Sequence, residues 1–386
     1  MGRITRRCLA GVVAGALLIP GWAEAKDTVK IAFVGPLTGP NSPHGIGARN
    51  SAELAVKLFN ADPAHKYQYE LMVLDDECKP NVGVQVVTKL GSDRSIAAAV
   101  PHYCSATAIA TVDVFHRFKL PMVVWAAVLP EITYANKYPE IHRVSGILIG
   151  QNRVGAQFMK EQGYKTFVSF ADSTDYGKSM NKYFTEFTNE NGGKILGTFA
   201  AAPDQQDLSA ELTKIKELNP EVIYFGGLTP LGTRLRMDKL GIKAQLEGNS
   251  GIMGDAFINA VGPDLAEGAV TFFDSPPLAK MPGGAAFTEN YKAAGFREPP
   301  EAYGPFAYIA THLLMQKIEA VGPDRAKITA ALADVKDVPS IVGPITFDDH
   351  GQNITPLTTK YVVQDGKWVV WEDSEYASGK RKLLHR

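Results

Sequence analysis

Val29-Lys30-Ile31-Ala32-Phe33-Val34 runs into Gly35-Pro36. A short apolar run rich in β-branched residues that stops at Gly-Pro reads as a buried strand followed by a turn. A loop is expected over residues 35–47. Residues 48–59 then carry helical spacing, with Ala52, Ala55, Val56 and Phe59 on one face. The alternation continues outward, with strands at 69–74, 96–100 and 121–124 and helices at 82–90 and 106–118. Strand–helix repetition with short loops implies a parallel sheet covered on both faces by helices. The pattern then restarts. Helices are expected at 150–162, 176–192, 208–218 and 230–240, and strands at 166–171, 194–199, 222–225 and from 245. The chain is therefore read as α/β with two doubly wound units in series. Ligand sites in such folds lie at the carboxyl ends of the strands, and two sheets can turn those ends toward one cleft.

The last third changes character. Residues 285–294, 303–321 and 324–335 read as helices, with Pro299-Pro300 between the first two. Residues 343–347 read as a strand. Residues 359–363 and 368–371 flank Gln364-Asp365-Gly366-Lys367, where Asp-Gly is the signal of a hairpin turn. A hairpin after a run of helices implies that the chain crosses back between lobes.

The N-terminus reads as a secretory signal. Arg3, Arg6 and Arg7 precede an uncharged apolar run at 8–19, and Ala23-Glu24-Ala25 is an A-x-A cleavage site. Cleavage there leaves 361 of the 386 residues. Basic residues fall from 40 to 37 and acidic ones from 41 to 40, for a net charge near −3. That balance disfavours a nucleic-acid partner, which is held by clustered Lys and Arg. Beyond Ala25 no apolar run reaches the roughly 20 residues that span a bilayer. Cys8 leaves with the signal, and Arg6-Arg7 before it is unlike the small residue that precedes a lipid-anchored cysteine. Cys78 and Cys104 remain, and an even count after export favours a disulfide.

Catalytic motifs are absent from the sequence. There is no GxSxG, Walker A loop or HExxH. Gly35-Pro36-Leu37-Thr38-Gly39-Pro40 lacks dinucleotide spacing and reads as a strand-to-helix turn. The eight histidines show no metal-ligand pairing, and neither metal nor cofactor is expected. Asp75-Asp76-Glu77 reads as a solvated strand end rather than a catalytic cluster. An enzyme would need a nucleophile, a metal or an acid–base pair in the cleft, so none is expected.

Residues 28–372 resemble the leucine/isoleucine/valine-binding protein family, periplasmic solute-binding proteins that serve ABC importers. The likeness is carried by Lys30-Ile31-Ala32-Phe33-Val34-Gly35-Pro36-Leu37-Thr38-Gly39, Asp75-Asp76-Glu77-Cys78-Lys79-Pro80 and His102-Tyr103-Cys104-Ser105. Pro130-Glu131-Ile132-Thr133, Asp175-Tyr176-Gly177, Tyr224-Phe225-Gly226-Gly227 and Gly343-Pro344-Ile345-Thr346-Phe347-Asp348 complete it. The resemblance implies two doubly wound parallel-sheet lobes joined by three crossovers, with a ligand cleft between them that closes by hinge motion. Lobe one would comprise 26–146 and 277–347, and lobe two 147–276 and 348–386. It implies a disulfide between Cys78 and Cys104, an inner-membrane ABC permease as partner, and periplasmic localisation. A monomer is the default, since the lobes must move freely.

The resemblance also implies site residues. Ser105 matches a serine that holds the ligand carboxylate, Ala127 a backbone contact, and Tyr176 an aromatic wall. Val128 stands where amino-acid binders carry a threonine. Ser250 stands where they carry an acidic partner for the ligand ammonium, with Glu247 nearby as the alternative occupant of that role. Trp125, Tyr103 and Tyr303 lie in segments near the cleft. Arg234 and Arg236 read as a solvated helix face, with a carboxylate contact as the alternative. A buried ammonium without a countercharge costs several kcal/mol. The expected ligand is therefore a small organic acid, with an aromatic carboxylate suited to the aromatic walls. A branched-chain or other aliphatic amino acid is the second reading, and short amides or urea the third. A periplasmic sensor is the competing class.

Overall fold

The computed structural model describes residues 1–2, 26–228, 240–355 and 358–385. The expected signal segment lies almost wholly outside the described residues, as do Arg234, Arg236 and nearly all of the expected helix at 230–240. Among the described residues no helix is long and apolar enough to cross a membrane.

The first half builds β1 (Thr28–Gly35), α1 (Ser42–Ala61), β2 (Gln68–Asp75), α2 (Pro80–Ser92), β3 (Ile96–Val100), α3 (Ser105–Phe118), β4 (Met122–Val124), α4 (Glu131–Tyr134) and β5 (Ile141–Arg143). These strands form one parallel sheet in the order β2-β1-β3-β4-β5. Ile31, Ala32, Phe33 and Val34 are all fully buried. A central parallel strand covered by helices on both faces cannot alternate polar with apolar residues, so its sequence reads as one apolar run. Each large side chain so buried contributes about 1.5–3 kcal/mol.

The second unit holds α5 (Leu148–Glu161), β6 (Thr166–Asp172), α6 (Asp175–Glu190), β7 (Lys194–Ala201), α7 (Ser209–Leu218), β8 (Val222–Gly226), β9 (Gln245–Glu247), α8 (Asp255–Val261), α9 (Pro263–Ala266) and β10 (Val270–Phe273). The chain then returns to the first sheet with α10 (Gly284–Ala294), α11 (Gly304–Val321) and α12 (Arg325–Ala333). There α11 packs along α1 and against β3 and β4, and α12 packs on β3. It ends in β11 (Thr359–Gln364) and β12 (Lys367–Val370). The second sheet runs β12-β11-β10-β9-β8-β6-β7, parallel from β10 to β7 and antiparallel at the β11–β12 edge. The hairpin turn follows the sequence signal, since Asp365 and Gly366 both take positive φ, 53° and 70°.

The chain passes between the sheets three times, after β5, after β10 and before β11. The first and third passes are stitched together. Arg143 N–H donates to Gly351 O at 2.9 Å, and Asn353 N–H to Arg143 O at 3.0 Å.

Three expectations need correction. Helix α1 starts at Ser42, not at residue 48. Pro43 sits in its first turn, where the missing N–H costs nothing. Residues 343–347 form no strand and make only isolated bridges, Val338↔Ile345 and Phe347↔Asn353. Strands β5 and β10 were not anticipated, being three and four residues long, too short for a period-2 pattern to declare itself.

Candidate ligand cleft

Both sheets present a point where strand order reverses. In the first it lies between β1 and β3, and in the second between β6 and β8. The carboxyl ends of these neighbours diverge there and leave a crevice, the general ligand position in doubly wound sheets. From the first sheet, residues 101–105 and 125–130 enter the crevice. From the second come the start of α6, residues 227–228 and residues 248–251.

The 101–105 segment is fixed from below. Cys78 and Cys104 form a disulfide with a Cα–Cα distance of 5.4 Å, inside the usual range. Beneath it Asp76 Oδ2 lies 2.7 Å from His102 Nδ1, and Thr111 Oγ1 lies 3.0 Å from His102 Nε2, all three side chains buried. The solvated strand end expected at 75–77 therefore holds for exposed Glu77 but not for Asp76. This brace sets Tyr103 and Ser105 at the mouth of α3. Cys104, the residue before the helix, makes no side-chain cap, and so the first-turn N–H groups at Ser105 have no intrahelical partner. Ser105 Oγ accepts the Val128 N–H at 3.0 Å, which leaves its own hydroxyl hydrogen to donate.

The 125–130 segment hangs on a buried cation. Arg143 is fully buried. Its guanidinium donates to Ala127 O (3.0 Å), Leu129 O (2.7 Å), Thr133 Oγ1 (3.0 Å) and Gln352 Oε1 (2.6 Å). Burial lowers its pKa to about 9, which keeps it charged at neutral pH. Two of these acceptors are backbone carbonyls of the cleft wall, so Arg143 sets the peptide planes there. Sequence reasoning missed it, although a lone Arg between Ile141-His142 and Val144 was a usable signal.

Between the lobes, Tyr103, Ser105, Ala126, Val128, Tyr176, Leu228, Ser250, Gly251 and Tyr303 line a cavity of about 10 Å³, room for roughly one water. Entry of any larger ligand requires the lobes to part. Six of the eight expected site residues lie on this wall. Ala127 does not. Its N–H is used by His102 O and its carbonyl by Arg143, and Ala126 faces the cavity instead. Trp125 does not either. It is buried one layer behind, 5.7 Å from Phe33 and 5.7 Å from Tyr103 between ring centroids, with its indole N–H on Val34 O. Ala126, Leu228 and Gly251 were not foreseen. Small or aliphatic loop residues carry no chemical signature, but Gly251 has a steric one. A Cβ there would stand 2.7 Å from Gly227 O and 2.9 Å from Tyr176 Oη.

Burial raises the phenols of Tyr103, Tyr176 and Tyr303, so they stay neutral. Tyr176 donates to Asn249 Oδ1 at 2.5 Å. Tyr303 and Ser250 face each other across the cavity, and Ser250 N–H donates to Gln151 Oε1 at 3.2 Å. Gln151 in turn donates to Asp274 Oδ2 at 2.8 Å. Burial raises Asp274 to about 6, against the Gln151 and Thr358 hydrogen bonds and the Arg143 charge.

Glu247 points elsewhere. It is fully buried in the second lobe with Oε1 against Gly155 and Phe272, and neither oxygen has a hydrogen-bond partner. Burial raises its pKa well above the ordinary carboxylate range, which favours the neutral acid. It does not line the cavity.

A profile of the family described as periplasmic binding protein matches residues 28–367. The leucine-, isoleucine-, valine-, threonine- and alanine-binding protein of Pseudomonas aeruginosa is 29% identical over 355 residues, covering 90% of this chain and 92% of that protein. The crystal structure of a leucine binding protein from Thermotoga maritima superposes with a TM-score of 0.81 at 26% identity, covering 89% of this chain and 97% of that one. An ABC transporter solute-binding protein from R. palustris, solved in complex with benzoate, gives a TM-score of 0.81 at 21% identity over 89% of this chain and 95% of its own.

Proposed function

This chain belongs to the periplasmic binding protein family, whose members bind solutes and are not enzymes, and from that premise we propose that it delivers a small organic acid to an ABC permease of the branched-chain amino-acid type. On this reading residues 1–25 direct export and are removed, the mature protein is a periplasmic monomer, and the lobes close over the ligand. An aromatic carboxylate suits the site best. Its carboxylate sits at the start of α3, held by the Ser105 hydroxyl and the first-turn N–H groups of a 14-residue helix. Val128, Tyr103, Tyr176 and Tyr303 enclose the apolar body.

One observation carries the choice of ligand. Ser250, which the resemblance matches to the acidic ammonium partner of amino-acid binders, lines the cavity, and Glu247 is turned into the lobe core. Among the described lining residues there is no acidic side chain. The fold does not decide the matter, since the P. aeruginosa relative is a leucine-, isoleucine-, valine-, threonine- and alanine-binding protein and the R. palustris structure holds benzoate. Leucine or another aliphatic amino acid is the second reading, favoured by the 29% identity to the P. aeruginosa protein.

The test is a thermal-shift panel of the twenty amino acids, benzoates, cinnamates, aliphatic acids and short amides. A ligand at 100 times its Kd stabilises by about 2.7 kcal/mol, a shift of several degrees. Carboxylic acids without an amino group are expected to shift the melt, and leucine is not. A shift with leucine and none with the acids overturns the proposal in favour of the second reading. A shift with amides alone points to the sensor class.

A further inference from the structure

The central cavity has no room for a ligand body, but the space next to it does. A chamber of about 540 Å³ opens between the lobes, walled by Pro43, His44, Ile252, Phe257, Val261 and Glu301 among others. Gly251 lines both spaces, so they adjoin. The chamber wall is mostly apolar, with Ser42, His44, Asn259, Glu298 and Glu301 as its polar residues. The His44 and Glu301 side chains are 8% and 5% exposed, and His44 Nδ1 and Glu301 Oε2 stand 3.9 Å apart, each without a hydrogen-bond partner.

Buried polar atoms without partners are unfavourable, and the side chains that carry these two line a ligand-sized space. We propose that the ligand is an elongated acid whose far end lies in this chamber and presents a hydrogen-bond donor that Glu301 and His44 recognise. The inference rests on the organic-acid reading of the cleft and extends it. A separation of 3.9 Å is too long for a direct bond. Both atoms are closed to solvent, so a hydroxyl oxygen enters between them only when the two side chains part slightly, and it then donates to Glu301 Oε2 and pairs with the imidazole at about 2.8 Å. His44 stacks on Tyr103 with ring centroids 4.9 Å apart, so the wall is continuous from the carboxylate end to the donor end.

The local electrostatics are consistent with that role. Burial lowers His44 to about 4, leaving a neutral imidazole at physiological pH. Burial, then the Asp255 charge, raises Glu301 to about 7, and the nearby backbone N–H groups of Ala256 and Asp255 oppose the rise. Glu301 thus lies beside α8 of the second lobe, and the test must separate an effect on lobe closure from ligand reading.

Matched ligands do so. Calorimetry would compare cinnamate with 4-hydroxycinnamate, and 4-methylbenzoate with its 4-hydroxymethyl and 4-aminomethyl analogues, against wild type, Glu301→Gln, His44→Phe and Ser105→Ala. Within each pair the donor-bearing acid is expected to bind about tenfold tighter. Glu301→Gln and His44→Phe should bring that ratio toward one, whereas Ser105→Ala should weaken both members equally. An effect of Glu301→Gln on lobe closure reaches both members of a pair alike and leaves the ratio untouched. Preference for the 4-aminomethyl acid over the 4-hydroxymethyl one identifies the donor as a cation, and the reverse identifies a neutral hydroxyl. Acid binding with no end-group preference, or a ratio unchanged in both variants, overturns this inference alone. Binding of none of the acids overturns the cleft reading with it.

Discussion

Replacing Arg143 with methionine tests whether a buried cation outside the cavity shapes the cleft. The guanidinium satisfies four acceptors, at Ala127, Leu129, Thr133 and Gln352. Methionine fills similar volume and satisfies none. A stranded buried acceptor costs about 1–3 kcal/mol. Thr133 and Gln352 can turn to other partners and losing the charge relieves its desolvation, so the lower bound applies, about 4 kcal/mol in all. That is a large share of the about 5–15 kcal/mol that holds a domain folded. Urea titration with linear extrapolation measures it. Arg143→Lys keeps the charge but lacks the planar fork, and should fall between the two. The same loss should reach the ligand, because the freed Ala127–Leu129 peptides no longer hold the Val128 N–H on Ser105. Affinity for the best acid of the panel is expected to drop at least about tenfold in the lysine variant, which stays folded. A methionine variant within about 1 kcal/mol of wild type, together with a lysine variant of unchanged affinity, refutes the reasoning.

Glu247→Gln should raise the melting temperature at pH 7.5 and leave ligand affinity unchanged, since it replaces a carboxyl that is buried without a partner; loss of ligand binding in this variant would make Glu247 a ligand contact after all. Asp274, raised from 3.8 to about 6 in the folded state, holds a proton there that the unfolded chain has released, so its contribution to stability declines as pH rises from about 4 to 6 and is flat above. His44 and His142, both lowered to about 4, act in the opposite sense between about 4 and 6.5. The readout is therefore the difference between wild type and Asp274→Asn, which should grow in the variant's favour across pH 4–6; a difference independent of pH contradicts the assignment. Removing the disulfide as Cys78→Ser with Cys104→Ser should cost about 3.5 kcal/mol in the chain-entropy account of a 26-residue separation, measured by denaturant titration of the two proteins side by side.

Much of the scaffold was legible because its physics is local. Central parallel strands bury both faces, and so 29–34, 96–100 and 222–225 announce themselves as apolar runs. Asp365-Gly366 announces its turn because few residue pairs accept two positive φ values. The cleft was legible where a loop carries polar chemistry, as at Ser105, Tyr103 and Tyr176. It was not legible where long-range packing decides. Trp125 and Ala126 are neighbours in sequence, and only the register of β4 determines that the indole lies behind the wall and the methyl on it. Glu247 and Ser250 are three residues apart, and the end of β9 decides which one faces the lobe core. Arg143 reads as a surface residue until the third interlobe pass brings Gln352 to it. Glu301 and His44, 257 positions apart in the chain, meet only because the return of the chain to the first sheet lays residues 299–301 beside α1.

The return of the chain to both sheets sets the order in which the protein can be made. A chain emerging from its N-terminus lays down β1–β5 first, but that layer lacks α11 and α12 until residue 333 has appeared. The second sheet waits longer, because β10 has no partner on its outer side until residues 359–370 arrive. Until then β10 is an open edge with Val270, Thr271, Phe272 and Phe273 along it, a template for unwanted pairing. The contacts that complete each half are distant in sequence, which slows folding. Under the proposed export, slow folding has a use, since the chain stays threadable until its last hairpin is through. A truncation that removes only β11 and β12 would therefore leave a sticky product rather than a smaller binder.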